Sequence, residues 1–263
     1  MKGKTNEITC EDCYLISEHF VAVVDGVTSK SDFTYHEKTT GKLASEITHD
    51  AILELPKEAT LSEALCHINQ KMNQFYDKIH FPYDRTEKGL QAACVIYSNY
   101  HREIWMIGDC QVCVDGEPSY LPKKSDLILS EMRSLVLACL MEQGESQPNA
   151  EQLLQARELI LPWILKVNRF ANDDHASFGY PVLNGQSIPE SLVKIIKLDG
   201  ESHEIIFTSD GYPVMEPTLA LTEQRLEEVL QKDPACYLLY PSTKGVLKGN
   251  QSFDDRTYLR FKI

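Results

Sequence analysis

Four aspartates stand at the edges of apolar, strand-like runs, and three of the four touch a glycine. They read Val23-Val24-Asp25-Gly26, Ile107-Gly108-Asp109, Thr208-Ser209-Asp210-Gly211 and, ahead of the last strand, Phe253-Asp254-Asp255-Arg256-Thr257. A fifth acidic pair, Glu11-Asp12, precedes the apolar stretch 14–16. Strand ends that are distant in sequence converge in a folded sheet. A glycine beside a carboxylate lets the backbone turn and brings a carbonyl close to whatever the carboxylates hold. Carboxylates crowded into one pocket do not all stay ionised unless a cation offsets their repulsion. All-oxygen donor sets favour hard divalent ions such as magnesium, manganese or calcium. For any single motif the plainer reading is a turn carboxylate, because Asp-Gly is a common turn pair. The ordered set points to a metal site.

The sharpest competing signal is cysteine. Eight cysteines include two Cys-x-x-Cys pairs, Cys10/Cys13 and Cys110/Cys113, and two such pairs can build a tetrahedral zinc site. The intervening residues, Glu-Asp and Gln-Val, lack the glycines usual around zinc thiolates. Both pairs lie in or beside strand-like runs, where positions three apart face opposite ways. Reduced core cysteines are the better reading.

Composition narrows the partners. The chain has 263 residues, 43% hydrophobic and 25% charged, as in an ordinary globular protein, and one domain is the economical assignment. Its net charge of −13 argues against a nucleic-acid backbone and an anionic membrane surface. No apolar h-region follows the first lysines and no run approaches a membrane span, so the expected setting is cytoplasmic.

The elements that must position the carboxylates follow from periodicity. Segments 13–17 and 20–25 read as a hairpin turning at Glu18-His19. Leu43, Ile47, Ala51 and Leu55 recur at helical spacing across 37–55, and Leu65, Ile68, Met72, Phe75 and Ile79 mark a second helix with Ser62 as its cap. Strands are expected at 92–97, Glu103–Ile107 and Gln111–Val114, the last followed by a turn at Asp115-Gly116. A second helical pair covers 126–142 and 150–169, with Pro162 expected to kink or end the first half of the latter. After an irregular stretch, 172–189, strands at 192–198 and Glu204–Thr208 read as a hairpin around Asp199-Gly200. A short helix at 222–231 and a closing strand at 258–263 complete the chain. Segregated runs of strands and helices indicate an α+β fold with antiparallel sheets.

Taken in order, Glu11-Asp12, Val24-Asp25-Gly26, Gly108-Asp109, Ser209-Asp210-Gly211 and Asp254-Asp255-x-Thr257 resemble the motif series of the metal-dependent protein phosphatases of type 2C. The resemblance runs from Glu11 to the C-terminus. It implies a sandwich of two antiparallel sheets flanked by helical pairs, and a centre of two Mn²⁺ or Mg²⁺ ions at one end. Asp25 would bridge both ions, with the Gly26 carbonyl completing one of them. Asp210 and Asp254 would ligate the second, and Asp109 with Asp210 would support a third, weaker ion. Glu11 and Asp12 would hold waters around the ions. The implied reaction is hydrolysis of phosphoserine or phosphothreonine in a phosphorylated protein, through hydroxide held between the two ions. A catalytically weak regulatory module and a phosphatase of small phosphorylated molecules are the alternatives.

Two positions depart from that family. Where it often continues Asp-Gly-His-Gly-Gly, with the histidine as proton donor, this chain has Asp25-Gly26-Val27-Thr28-Ser29. Where it often places a phosphate-gripping arginine, this chain has Glu7. Lys4, Lys30, Lys244 and Arg256 are the replacements to consider for the grip, and His36 and His175 for the acid.

Overall fold

The computed structural model describes residues 1–142 and 144–263. Among these residues nine strands form two sheets. The first has the order β1 (Cys13–Ile16), β2 (Phe20–Gly26), β3 (Ala92–Ser98), β4 (Glu103–Ile107) and β7 (Lys194–Lys197). The second has the order β6 (Glu117–Ser119), β5 (Gln111–Val114), β8 (Glu204–Thr208) and β9 (Tyr258–Lys262). Every pairing is antiparallel, as the segregated strand runs require.

Alternation along the strands builds the layers. Val23 on β2, Val95 and Tyr97 on β3, Ile104 and Met106 on β4, Val112 on β5 and Ile205 and Phe207 on β8 form one buried cluster between the sheets. The alternate residues of the first sheet, among them Phe20, Ala22, Val24, Ile96 and Trp105, pack on α1 (Thr40–Leu53) and α2 (Leu61–Asp77). Burying a Val, Ile or Phe side chain contributes roughly 1.5–3 kcal/mol, so these two faces fix the register of β2. That register carries Asp25 to the end of the strand, opposite Ala93.

A second helical pair, α4 (Lys124–Leu140) and α5 (Ala150–Lys166), packs through Leu129, Leu137, Ala156 and Ile160. A short helix, α3 (Arg85–Lys88), and α6 (Leu219–Lys232) complete the helices, with Leu226 of α6 buried beside Tyr212, Cys236 and Phe253. Among the described residues no helix is long and apolar enough to cross a membrane.

Four local expectations need correction. Helix α1 begins at Thr40 and not at 37, because His36 and Glu37 have φ of 50° and 64° and Thr39 caps the helix by accepting from the Lys42 amide. Thr60, not Ser62, caps α2, in a reciprocal box with Glu63. Helix α5 passes through Pro162 to Lys166; Pro162 and Glu158 are exposed, so water meets the carbonyl whose partner is lost. Strands β7 and β8 do not pair: each turns an apolar face toward the inter-sheet core, but from opposite sheets. Arg102 ties down the link between them by donating to the carbonyls of Asp199 and Glu201 at 2.5 Å.

Candidate active site

The strand ends deliver carboxylates to one end of the sandwich. Asp25 is the penultimate residue of β2, and Asp109 lies where the chain leaves β4 of one sheet for β5 of the other. Gly108 makes that exit with φ of +91°, a conformation that a side chain resists, and an added Cβ would lie 2.5 Å from the Ala93 Cβ. Asp210 follows β8 and Asp254 precedes β9. All four aspartates line one cavity of about 340 Å³. Gly26 must lack a side chain for a different reason: a Cβ there would meet the Gly41 carbonyl oxygen at 2.3 Å and that of Glu11 at 2.6 Å.

Behind these half-buried aspartates sit two buried acids. Asp12 Oδ2 accepts from Ser209 Oγ at 2.7 Å and Thr257 Oγ1 at 2.9 Å, while its Oδ1 is buried without a partner. Glu11 accepts from Thr39 Oγ1 at 2.6 Å, and its amide donates to Asp255 Oδ2 at 3.0 Å. Asp255 also accepts from the Lys4 amide at 2.6 Å, tying the N-terminal segment to the approach to β9.

Charge crowding sets the electrostatics. Burial, then the charges of Asp12, Asp254 and Asp109, hold the Asp25 carboxyl well above the usual carboxylate range, and a hydrogen bond links it to Asp210. Burial, then Asp25, raises Asp210 equally clearly. Asp109 is raised by burial and by Asp126, and burial pushes Asp12 up to about 7. Asp254 is the exception. Burial would raise it too, but Lys244 and Lys4 outweigh burial and hold it below the ordinary value. The Lys244 ammonium lies 2.6 Å from Asp254 Oδ2, and that of Lys4 lies 3.8 Å from Oδ1. Among the described residues no three His, Cys, Asp or Glu side chains draw close enough to enclose an ion, and Asp254 is turned to the lysines. The donor set itself suits a hard divalent cation: it is all oxygen, it is crowded enough to need positive charge, and it leaves a buried Asp12 oxygen unsatisfied.

Solved structures give this architecture a precedent. The catalytic domain of the serine/threonine protein phosphatase PstP, in complex with two manganese ions, superposes with a TM-score of 0.51 at 15% identity, covering 100% of this chain and 94% of that one. A point variant of a bacterial serine phosphatase superposes at 0.50 with 14% identity, covering 100% and 95%. The chain has a phosphatase fold of type 2C. No protein-family profile and no curated relative matches its sequence.

Within that phosphatase fold, several replacements considered from the sequence are ruled out by position. Arg256 is committed to Glu223, with Nε and Nη2 at 3.0 and 3.1 Å from its two oxygens. His175 is exposed beside Asp174, and His36 is exposed against Tyr35, so neither lines the cavity. Glu7 is exposed and also lies outside the cavity wall. Val27 does line it and offers no proton. Lys30 and Lys244 line it as well, and Lys4, paired with Glu11 and Asp255, comes within 3.8 Å of Asp254 from the N-terminal segment. The cysteine pairs do not meet as a metal cluster among the described residues. Cys13 packs toward the helices, donating to the Ser45 carbonyl at 3.2 Å, and Cys110 packs between the sheets. Burial pushes the Cys10 and Cys13 thiols up to about 12, so without a metal they are neutral and unreactive.

Sequence reasoning missed part of the wall. Lys123 pairs with Asp126 at 3.3 Å and sits 4.2 Å over the Tyr180 ring. Arg157 of α5 donates to the Thr243 carbonyl at 2.7 Å and lines a recess that opens beside the cavity. Thr28 accepts from Lys244 at 2.9 Å. No sequence signal marks Arg157, which reads as an ordinary charge on an amphipathic helix. Thr28 was within reach, since it lies two residues beyond the Asp25-Gly26 motif.

Proposed function

We propose that this chain is a Mn²⁺- or Mg²⁺-dependent phosphomonoester hydrolase, acting in the cytoplasm as one domain on phosphoserine or phosphothreonine in a protein substrate. The observation that carries this reading is the meeting of two kinds of charge in one cavity. Aspartates from four strand ends line it together with Lys30, Lys123 and Lys244. With cations on the carboxylates, these lysines would be left to face a dianionic phosphoryl group.

In this reading Asp25, the Gly26 carbonyl, Asp210 and Asp254 would hold two ions, and Asp109 with Asp210 would hold a third. Bound there, the ions acidify water near neutral pH and offset charge building on the phosphoryl oxygens. Ser209 and Thr257 orient Asp12, and Thr39 orients Glu11, behind the cavity aspartates, where these two acids would hold water around the ions. Lys244, paired with Asp254 at 2.6 Å, would be released toward the phosphoryl group if Asp254 held an ion, and would take the part of the missing arginine.

The test is hydrolysis of p-nitrophenyl phosphate by the purified chain with and without manganese. Turnover that needs manganese and is abolished by EDTA supports the reading. A phosphopeptide panel set against small phosphorylated metabolites then separates the protein phosphatase from its small-molecule counterpart. The ion pairs on Asp254 favour one second reading, a regulatory module whose lysines supply the positive charge that an enzyme takes from metal. Absence of turnover with two manganese ions bound selects that module.

A further inference from the structure

Three ammonium groups gather on Thr28. Lys4 and Lys244 donate to its hydroxyl at 3.4 and 2.9 Å, and Lys30 donates to its carbonyl at 2.5 Å. Their surroundings differ. Lys4 is paired with Glu11 and Asp255 at 2.9 and 3.0 Å, Lys244 with Asp254, and Lys123 of the same cavity with Asp126. Among the described residues Lys30 has no carboxylate ion-pair partner, although it lines the cavity together with Asp25, Asp210 and Asp254. It sits three residues beyond Val27, on the segment that leaves β2 directly after Asp25-Gly26.

We propose that Lys30 is the catalytic acid of this site, giving its Nζ proton to the leaving-group oxygen. The inference rests on the phosphatase reading above. As water forms the new bond to phosphorus, the bond from phosphorus to the alkoxide oxygen breaks, and the electron pair stays on that oxygen. Lys30 supplies the proton that makes it an alcohol. The attacking water gives up one proton to solvent, and Lys30, left neutral, takes one back from solvent.

The charged groups facing Lys30 make its proton easy to give. Burial, then Lys244 from the segment before Asp254, then Arg157 from α5, push its ammonium down to about 7, while Asp254 and Glu11 act more weakly in the opposite direction. Glu87 and Lys88 of α3, Lys123 just ahead of α4 and Asp126 of α4 line the adjoining recess. An acid of this strength is half protonated near neutral pH, which is the condition for efficient proton donation. Lys4 does not meet it: burial lowers its proton affinity, but Asp254, Glu11 and Asp255 together raise it well above the ordinary lysine value.

The experiment compares Lys30→Met and Lys30→Arg with the native chain at saturating manganese. One substrate is p-nitrophenyl phosphate, whose leaving group needs little protonation; the other is a phosphoserine peptide, whose alkoxide needs much. General acid catalysis contributes on the order of 10²–10⁴-fold, so Lys30→Met should lower kcat on phosphoserine by about 100-fold more than on the aryl phosphate. The native phosphoserine rate should fall as pH rises through about 7, and that limb should vanish in Lys30→Met. Lys30→Arg, charged but unable to release its proton, should restore KM without restoring kcat. Independently of turnover, carbon-13 spectra of lysine-labelled protein should show one lysine titrating near neutrality, absent from both variants. Equal losses on the two substrates, full rescue by arginine, or no lysine titrating near neutrality would each overturn the proposal. A native chain that hydrolyses neither substrate overturns the phosphatase reading and the acid with it, whereas an active native chain with an indifferent Lys30 removes the acid alone.

Discussion

Lys244 and the proposed metal ligation compete for one carboxylate: the lysine Nζ stands 2.6 Å from Asp254 Oδ2, and both partners are largely shielded from water. A cation that takes Asp254 must displace this ammonium. Lys244→Gln removes the competitor while keeping a polar group beside Thr28. Manganese affinity should then rise about tenfold, or about 1.4 kcal/mol, in a calorimetric titration, while KM for a phosphomonoester worsens. Weaker manganese binding in Lys244→Gln would show that the lysine supports the cage instead of contesting it.

Asp25 and Asp210 should behave as a unit, because their carboxyls are hydrogen-bonded, with Asp25 raising the proton affinity of Asp210 and the hydrogen bond from Asp210 lowering that of Asp25. Asp25→Asn or Asp210→Asn is expected to abolish manganese-dependent turnover, a loss of at least about 1000-fold when the group that holds the catalytic ions is removed. The folded chain should survive, since removing one of several crowded carboxylates relieves repulsion. Thermal unfolding beside a manganese titration checks both halves. Normal turnover by Asp25→Asn sinks the site assignment.

The closeness of β2 to α1 gives a prediction about stability alone. Gly26→Ala places a methyl 2.3 Å from the Gly41 carbonyl oxygen, so strand and helix must separate. Overpacking of this kind typically costs about 1–3 kcal/mol, and the expected result is a clearly lowered unfolding midpoint. Gly200→Ala, where an added methyl meets nothing within 4 Å, is the control and should change the midpoint little.

How much of this was legible in the sequence depends on the range of the interaction involved. The acidic motifs were readable because each is a local signal, an aspartate beside glycine at a strand end, and the structure brings Asp25, Asp109, Asp210 and Asp254 to one cavity. The antiparallel character and the helical pairs were readable for the same reason. The false hairpin of β7 with β8 was not avoidable by pattern, since Ile196 and Phe207 face the same core from different sheets and alternation carries no label for the sheet. Arg256 illustrates the opposite failure. It sits next to the acidic motif and looked available for phosphate, yet Glu223, on a helix 33 residues earlier, holds it in a bidentate pair.

That pair supplies the last prediction. Glu223 Oε1 accepts from Tyr212 Oη at 2.5 Å and from Arg256 Nε at 3.0 Å, and Oε2 pairs with Lys2 at 2.9 Å. Burial alone would raise its proton affinity, but these donors outweigh burial and hold the carboxyl down at about 2 against an ordinary 4.5. A carboxyl depressed in the folded state stabilises it above the unfolded value and loses that contribution as pH falls through the folded one. The window is therefore pH 4.5 down to 2. With the Glu223 side chain 24% exposed, the shift corresponds to about 2–3 kcal/mol after allowing for solvent screening. Urea unfolding should show Glu223→Gln less stable than the native chain by about that amount at pH 6. The gap should narrow steadily below pH 4.5 and be nearly closed by pH 2. A gap that stays constant with pH would mean that packing around Arg256 and Tyr212, not charge, holds α6 to the approach of β9.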